Sequence, residues 1–147
     1  MKEKNIIYTI IIFTLLSITY LLFDLVKTHE IFPYYEISAK HAHAKNDDIL
    51  IVDIRPQQRC DATGKAKNAY HLPIKETTSP KEYLADAREI AQGKTIAFIC
   101  NEGRSSKMVA MQYRENMDAH DVTSVMGGME GINGWISEKL PVEACSR

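Results

Sequence analysis

The sequence predicts an α/β domain with a mostly parallel sheet and helices on both faces, preceded by one transmembrane helix. Beyond about residue 32, short apolar runs alternate with amphipathic stretches, a pattern typical of strands that alternate with helices. The run Ile49–Val52 is continuously apolar, as expected for a strand buried on both faces. Near the N-terminus, no charged residue occurs from Ile6 to Phe23. We therefore divide the chain into an N-terminal anchor and linker, residues 1–30, and a folded domain, residues 31–147.

The charge-free N-terminal run approaches the length of about 20 residues that a helix needs to cross a bilayer core. It has no polar stripe, so a half-buried helix of a soluble core fits it poorly. We interpret residues 6–26 as an uncleaved membrane anchor. Lys2 and Lys4 precede the run, and the positive-inside tendency then predicts a single-pass protein with its domain on the extracytoplasmic, periplasmic side. The alternative is a cleaved signal that leaves a secreted or periplasmic domain, although the nearest small-x-small site, residues 42–44, lies far downstream.

Charge and residue spacing argue against nucleic-acid binding and against a bound cofactor. The 147 residues include 18 basic and 19 acidic side chains, a formal net charge of -1, and the basic residues form no stripe. His41 and His43 have no cysteine or carboxylate at metal-ligand spacing. We therefore expect no nucleic-acid partner, no metal and no organic cofactor.

Taken in chain order, the elements alternate as the fold class requires. Strands are predicted at residues 35–38, 49–52, 69–72, 95–99 and 122–126. A weak helix is predicted at residues 39–44, and a stronger one starts at Ser79, where Pro80 and Glu82 complete a capping box, and stops at Gly93. A third helix follows Cys100, and a final helix is predicted to carry Ile132, Trp135 and Ile136.

Three segments follow predicted strands at their carboxyl ends, where parallel sheets bind ligands. They are residues 53–55, the loop after Cys100, and the pair Gly127-Gly128. Cys100 stands between a buried strand and a helix N-terminus, where unpaired N–H groups stabilise a thiolate or an anion bound to the sulfur. The alternative is that Cys100 is an ordinary buried core cysteine.

The loop residues after Cys100 fit an anion site around its sulfur. Gly103 permits a backbone conformation in which successive N–H groups converge on one point. Arg104 offers a positive charge to an anionic substrate; the alternative is an ordinary solvated surface arginine. Glu102 disfavours a dianion and suits a thiol or persulfide substrate. The remaining loop residues are one amide and two hydroxyl side chains: Asn101, Ser105 and Ser106.

In their order and spacing, these motifs resemble those of single-domain rhodaneses, which are sulfurtransferases. The resemblance covers roughly residues 35–143. It rests on residues 51–55, 68–73, 100–106, 127–130, Trp135 and 140–142. Two departures lie in surface turns: residues 64–69 replace the usual Gly-His-Ile-Pro-Gly-Ala, and Trp135 lies about three residues further from the glycine pair than is common.

The resemblance implies that Cys100 is the catalytic residue and that residues 101–106 form the substrate-binding loop. It also implies that Asp53 and Arg55 pair at the pocket wall; the alternative is an ion pair that only holds the strand end. It implies a thiosulfate sulfurtransferase-like enzyme that carries sulfane sulfur as a Cys100 persulfide to a thiol or cyanide acceptor. The alternative is a membrane-anchored persulfide- or redox-sensing or binding module with little turnover. Phosphatases and arsenate reductases of this fold have an arginine at the position of Ser106, and its guanidinium clamps their substrates. Because this chain has a serine there, the resemblance does not imply either of those activities.

The three cysteines form an odd set. In an oxidising compartment Cys60 and Cys145 could pair and leave Cys100 free, but nothing in the sequence shows that they meet. The pairing therefore stays open at this point.

Overall fold

The computed structural model describes residue 8, residues 12–21 and residues 35–145. The chain forms two compact units, Met1–Ile31 and Phe32–Arg147. In the first unit, residues 12–21 are helical. Among the described residues, no helix combines the length and the apolar character needed to cross a membrane. Apart from residue 8, the rest of the predicted anchor lies outside the described residues, as do Lys2 and Lys4.

The second unit is built on a five-stranded sheet in which every pair of neighbouring strands is parallel. The strand order is β1-β6-β5-β2-β4, with β1 at Glu36–Ile37, β2 at Ile49–Asp53, β4 at Tyr70–His71, β5 at Thr95–Ile99 and β6 at Val122–Val125. The two long strands β2 and β5 lie side by side at the centre, as their apolar sequences predict. The predicted mostly parallel sheet is confirmed.

A second, two-stranded sheet was not predicted. It pairs β3, Lys65–Ala66, with β7, Val142–Glu143, in antiparallel register. Each strand has only two residues, too few to show an alternating pattern in the sequence. This pairing places residues 142–143 beside residues 65–66, in the segment that joins β2 to β4.

Among residues 35–145 there are four helices: α1 at Ala39–Ala44, α2 at Gln57–Thr63, α3 at Pro80–Ala91 and α4 at Arg104–Met117. The predicted capping box of α3 is present, because the Ser79 side chain accepts from the Glu82 N–H and the Glu82 carboxylate accepts from the Ser79 N–H. Helix α2 was not predicted. It has no side-chain cap at its N-terminus, so it lacked the usual start signal.

The core consists of two apolar clusters, one on each face of the main sheet. Consecutive strand residues point to opposite faces, so Val52 joins the cluster under α3 and α4 while Ile51 joins the cluster that includes α1. Phe98 and Ile99 divide in the same way on β5. The predicted covering of both faces is confirmed, with a short helix and turns on the second face.

The predicted final helix is wrong, because residues 126–139 form successive turns. Four of these residues have positive φ angles: Gly127 71°, Gly128 57°, Asn133 58° and Lys139 57°. A right-handed helix cannot continue through left-handed residues. The turns nevertheless bury Trp135 completely, and its indole Nε1–H donates to the Pro141 carbonyl at 2.8 Å.

Candidate active site

Cys100 follows β5 directly, and α4 begins four residues later. The side chain is buried, with 6% of the residue exposed, and its sulfur is free. The predicted position between a buried strand and a helix N-terminus is therefore confirmed. A free thiol at this point meets N–H groups that helical hydrogen bonds leave unused.

Three donors converge on the Cys100 sulfur. The main-chain N–H of Gly103 lies 3.2 Å from Sγ, and that of Ser106 lies 3.4 Å from it. The Ser106 hydroxyl is 3.3 Å from the same atom. Both Gly103 and Ser106 are buried, so little water competes for these contacts. A sulfur in this arrangement is suited to carry negative charge.

Close packing of glycines fixes the loop in this shape. Gly103 has a φ of 87°, and a Cβ atom there would lie 2.8 Å from the main-chain nitrogen of Gly127. A Cβ on Gly128 would lie 2.4 Å from the carbonyl oxygen of Cys100. The same turn donates to the loop, since Met129 N–H bonds the Cys100 carbonyl at 2.8 Å and Glu130 N–H bonds the Asn101 carbonyl at 2.7 Å. The turn that contains the predicted pair Gly127-Gly128 thus packs against the Cys100 loop and holds its shape.

Sequence reasoning missed Ser124, whose hydroxyl contacts the Ser106 hydroxyl. This fully buried residue on β6 places its Oγ 2.9 Å from the Oγ of Ser106. Ser106 Oγ also lies 3.2 Å from the Gly103 carbonyl. A hydroxyl has one proton, so the Ser106 hydroxyl donates either to that carbonyl or to the sulfur. Its oxygen accepts a hydrogen bond from the Ser124 hydroxyl. A serine within a buried strand was the only sequence signal.

Asp53 and Arg55 form a buried ion pair, as the resemblance implied. The guanidinium Nε and Nη2 donate to the Asp53 carboxylate at distances of 2.7–3.1 Å. The remaining donors of Arg55 reach Thr63 Oγ1 at 2.8 Å and the Gly64 carbonyl at 2.6 Å. Nη1 of Arg55 also lies 3.7 Å from the Glu130 carboxylate. The guanidinium therefore holds the end of β2 to the end of α2.

A cavity of about 460 Å³ opens beside the sulfur. Its lining combines an apolar group with the active loop: Ile54, Arg55, Pro56, Ile74, Val109, Cys100, Asn101, Glu102, Arg104 and Ser105. Arg104 and Glu102 lie at the mouth, with their side chains 90% and 64% exposed and 3.9 Å apart. Ile54, Pro56, Ile74 and Val109 were not among the predicted site residues, and Asp53 is not among the residues that line this cavity.

The predicted loop therefore separates into two groups. Cys100, Gly103 and Ser106 form a buried floor around the sulfur, whereas Glu102, Arg104 and Ser105 are exposed. Asn101 is half-buried, and its side-chain Oδ1 has no hydrogen-bond partner in the described part of the chain.

Two buried tyrosines contact Phe98, two residues before Cys100. Burial raises the pKa of Tyr113 to about 12. Burial is also the main reason why the pKa of Tyr83 lies far above its usual range, with smaller contributions from Tyr113 and Asp53. Both phenols are neutral at pH 7 and act as packing groups rather than as bases.

The two other cysteines form a disulfide. Cys60 of α2 bonds Cys145, which follows β7, with a Cα–Cα distance of 5.6 Å. Their separation of 85 residues explains why the sequence left the pairing open. The bond attaches the end of the domain to the helix that Arg55 holds.

A parallel α/β sheet that places one free, buried cysteine against two loop N–H groups and a hydroxyl defines a class of domains with a candidate nucleophilic cysteine. The chain belongs to the Rhodanese-like domain family, whose sequence profile matches residues 38–134. The predicted resemblance is thereby confirmed at the level of the family.

Solved structures share this fold. A rhodanese-related protein from Thermoplasma volcanium is 21% identical with a TM-score of 0.56, over 75% of this chain and 98% of that one. A protein from Rhodopseudomonas palustris, described as of unknown function and a possible tyrosine phosphatase, is 23% identical with a TM-score of 0.52, over 71% and 78%.

A curated relative is the adenylyltransferase and sulfurtransferase MOCS3 of Drosophila persimilis. It is 18% identical over 108 residues, which are 73% of this chain. The matched region spans about a quarter, 24%, of that protein's length.

Proposed function

We propose that the chain is a rhodanese-type sulfurtransferase with Cys100 as its nucleophile. The Cys100 thiolate attacks the outer sulfur of a sulfane donor such as thiosulfate, the donor's S–S bond breaks, and sulfite leaves with the bonding electron pair. Cyanide or a thiolate acceptor then attacks the outer sulfur of the persulfide, and the Cys100 thiolate is released. The cycle is covalent catalysis that needs no metal or organic cofactor.

The convergence of three donors on one buried free sulfur carries this proposal. These donors stabilise the thiolate that attacks in the first step and leaves in the second. The curated relative named as a sulfurtransferase supports the same reaction class.

The cavity favours donors and acceptors with an apolar or thiol-bearing part over a doubly charged anion. Its apolar wall consists of Ile54, Pro56, Ile74 and Val109. Arg55 is occupied by its buried partners, and the exposed Arg104 has the Glu102 carboxylate beside it. A low-molecular-weight persulfide therefore fits the site better than thiosulfate, which we expect to serve as a weak donor.

A phosphatase function is less well supported, although one structural neighbour is described as a possible tyrosine phosphatase. Phosphoryl transfer needs a guanidinium that clamps the equatorial oxygens. At the corresponding end of the loop stands Ser106, whose hydroxyl faces the sulfur. We expect no measurable phosphatase activity.

Intact mass spectrometry tests the proposal. The full chain, incubated with excess thiosulfate or with a low-molecular-weight persulfide and then desalted, should gain the mass of one sulfur atom. Added cyanide should remove that mass and release thiocyanate over many turnovers. Cys100→Ser should gain no sulfur and show no turnover while keeping its circular dichroism spectrum. Turnover by this variant would exclude Cys100 as the nucleophile.

The same experiment separates the enzyme from the alternative sensing or binding module. A module would gain one sulfur but release it only slowly, without repeated turnover at acceptor excess. Catalytic turnover that depends on acceptor concentration supports the enzyme.

We propose further that residues 6–26 anchor the chain with its folded domain on the extracytoplasmic side. The uncharged run from Ile6 to Phe23 supports the anchor. The Cys60–Cys145 disulfide supports the direction, because disulfides persist mainly in oxidising compartments. Retention in the membrane fraction through an alkaline wash tests the anchor, and protease added outside sealed cells stripped of any outer layer tests the direction.

A further inference from the structure

We infer that Cys60, Cys145 and His71 form a Zn²⁺ site when the Cys60–Cys145 disulfide is reduced. One possible ligand atom from each of these three residues lies within 4.8 Å of the other two. A tetrahedral zinc with thiolate and imidazole ligands places neighbouring ligand atoms about 3.5–3.8 Å apart. After reduction the two sulfurs, which are bonded to each other in the disulfide, must separate to this spacing, and the imidazole nitrogen lies within 4.8 Å of both.

The hydrogen bond of His71 prepares its ring for a metal. Nε2 lies 2.8 Å from the main-chain oxygen of Arg55, and a carbonyl oxygen only accepts. Nε2 therefore carries the proton, and Nδ1 keeps the free lone pair. Zinc-binding histidines characteristically donate their other ring nitrogen to a carbonyl or carboxylate in this way, which fixes the orientation of the ring.

The backbone positions of the three residues do not depend on the disulfide alone. Cys60 lies in α2, where its carbonyl accepts from the Gly64 N–H at 2.8 Å. His71 ends β4, paired with Asp53 of β2. Cys145 lies two residues after Glu143, whose strand β7 is paired with β3. A site held by three elements loses little conformational freedom when a metal binds.

Partial exposure of this cluster allows a metal ion to enter. Cys60 is fully buried, whereas His71 and Cys145 are half-buried, so solvent reaches two of the three ligand residues. Three protein ligands leave a fourth position for water or for another small ligand. Zn²⁺ is the divalent ion that two thiolates and one imidazole favour.

A reductant must open the Cys60–Cys145 disulfide before zinc can bind. A dithiol or a phosphine supplies two electrons and breaks the S–S bond; the dithiol becomes a disulfide, or the phosphine becomes its oxide with oxygen from water. Each cysteine then holds one proton, and Zn²⁺ binding displaces both protons. The disulfide and the zinc ion thus attach Cys145 to α2 in alternative redox states.

Zinc titration of the full chain in the Cys100→Ser background tests the inference, because that background removes the active-site thiol as a competing ligand. The chain is reduced with a phosphine, desalted without oxygen and titrated with Zn²⁺ against a chromophoric chelator. We expect one tightly bound ion per reduced chain and none per oxidised chain. Co²⁺ in place of Zn²⁺ should give the thiolate-to-cobalt charge-transfer absorption that requires cysteine ligands.

His71→Ala should weaken Zn²⁺ binding at least about tenfold in the reduced chain. His43→Ala is the matched control, since the His43 ring packs against Trp135, and it should leave the affinity unchanged. The circular dichroism of oxidised His71→Ala, in which the disulfide remains, reports whether the variant folds. Absence of zinc from the reduced chain, equal binding by the oxidised chain, or unchanged affinity in folded His71→Ala would each overturn the inference.

Discussion

The buried floor around the Cys100 sulfur and the mouth of the adjoining cavity come from one short loop, yet they are built in opposite ways. At the floor, Gly103 and Ser106 are buried and aim their donors at the Cys100 sulfur. At the mouth, Arg104 and Glu102 are exposed and lie 3.9 Å apart. Electrostatic contacts are strong where water is excluded and weak where it is present. We therefore assign the chemistry to the floor and only modest selection of donors to the mouth.

The largest effect is expected from Gly103→Ala at the floor. The left-handed backbone costs an alanine about 1–2 kcal/mol, and the approach of its Cβ to Gly127 N adds about 1–3 kcal/mol of overpacking. Displacement of the Gly103 N–H from the sulfur should slow persulfide formation by about 100-fold. Urea unfolding and single-turnover rates measure the two effects.

Gly93→Ala is the matched control for this substitution. Gly93 has a φ of 88°, nearly that of Gly103, but a Cβ there meets nothing within 4 Å. It should therefore lose only the backbone contribution and keep full activity. Equal loss of stability in both variants would mean that packing of the glycine turn against the loop is unimportant.

Ser124→Ala should have an intermediate effect, because it acts on the floor only through Ser106. Without a donor from Ser124, the Ser106 hydroxyl is less well oriented toward the sulfur, which is the leaving atom in the second step. A net hydrogen bond is worth about 1 kcal/mol. We expect a roughly fivefold slower release of sulfur from the persulfide to cyanide, measured in a single turnover.

Thr123→Val is the control for a lost hydroxyl on the same strand. Thr123 is buried, and its Oγ1 has no hydrogen-bond partner within the described ranges. Its replacement should leave the release rate unchanged. A similar slowing in both variants would point to a general loosening of β6 rather than to the Ser124 contact.

The smallest effect is expected from Arg104→Ala at the mouth. An exposed charged contact contributes about 0.2–1 kcal/mol, so the KM for thiosulfate should rise less than about fivefold. Glu102→Gln should lower that KM by a similar factor, since it removes a negative charge near an anionic donor. Steady-state kinetics at low and high salt measure both. A tenfold or larger rise in Arg104→Ala would place its guanidinium on the bound donor.

The sequence predicted the parts of the molecule that depend on neighbouring residues. The apolar run of β2, the capping box at Ser79 and the glycine in the loop each act within a few positions of the chain. These local signals located the central strands, α3 and the sulfur of Cys100. The order of the motifs then identified the family.

The contacts that the sequence missed join distant segments. Ser124 meets Ser106 across 18 residues, and Cys60 meets Cys145 across 85. The prediction of a final helix was wrong for a related reason. The apolar spacing of residues 132–136 suggested a helix, but turns with left-handed residues bury Trp135 instead. Only tertiary packing decides such contacts, so no local pattern records them.

The two hydrogen bonds from Met129 and Glu130 to the carbonyls of Cys100 and Asn101 have a consequence for the reaction barrier. They fix peptide groups of the loop before any donor arrives. In water, solvent dipoles must reorient each time charge moves onto or off a sulfur atom. Here the dipoles are oriented during folding, so little reorganisation energy remains in either half of the proposed cycle. The loop backbone should therefore superimpose in the free and the persulfidated protein.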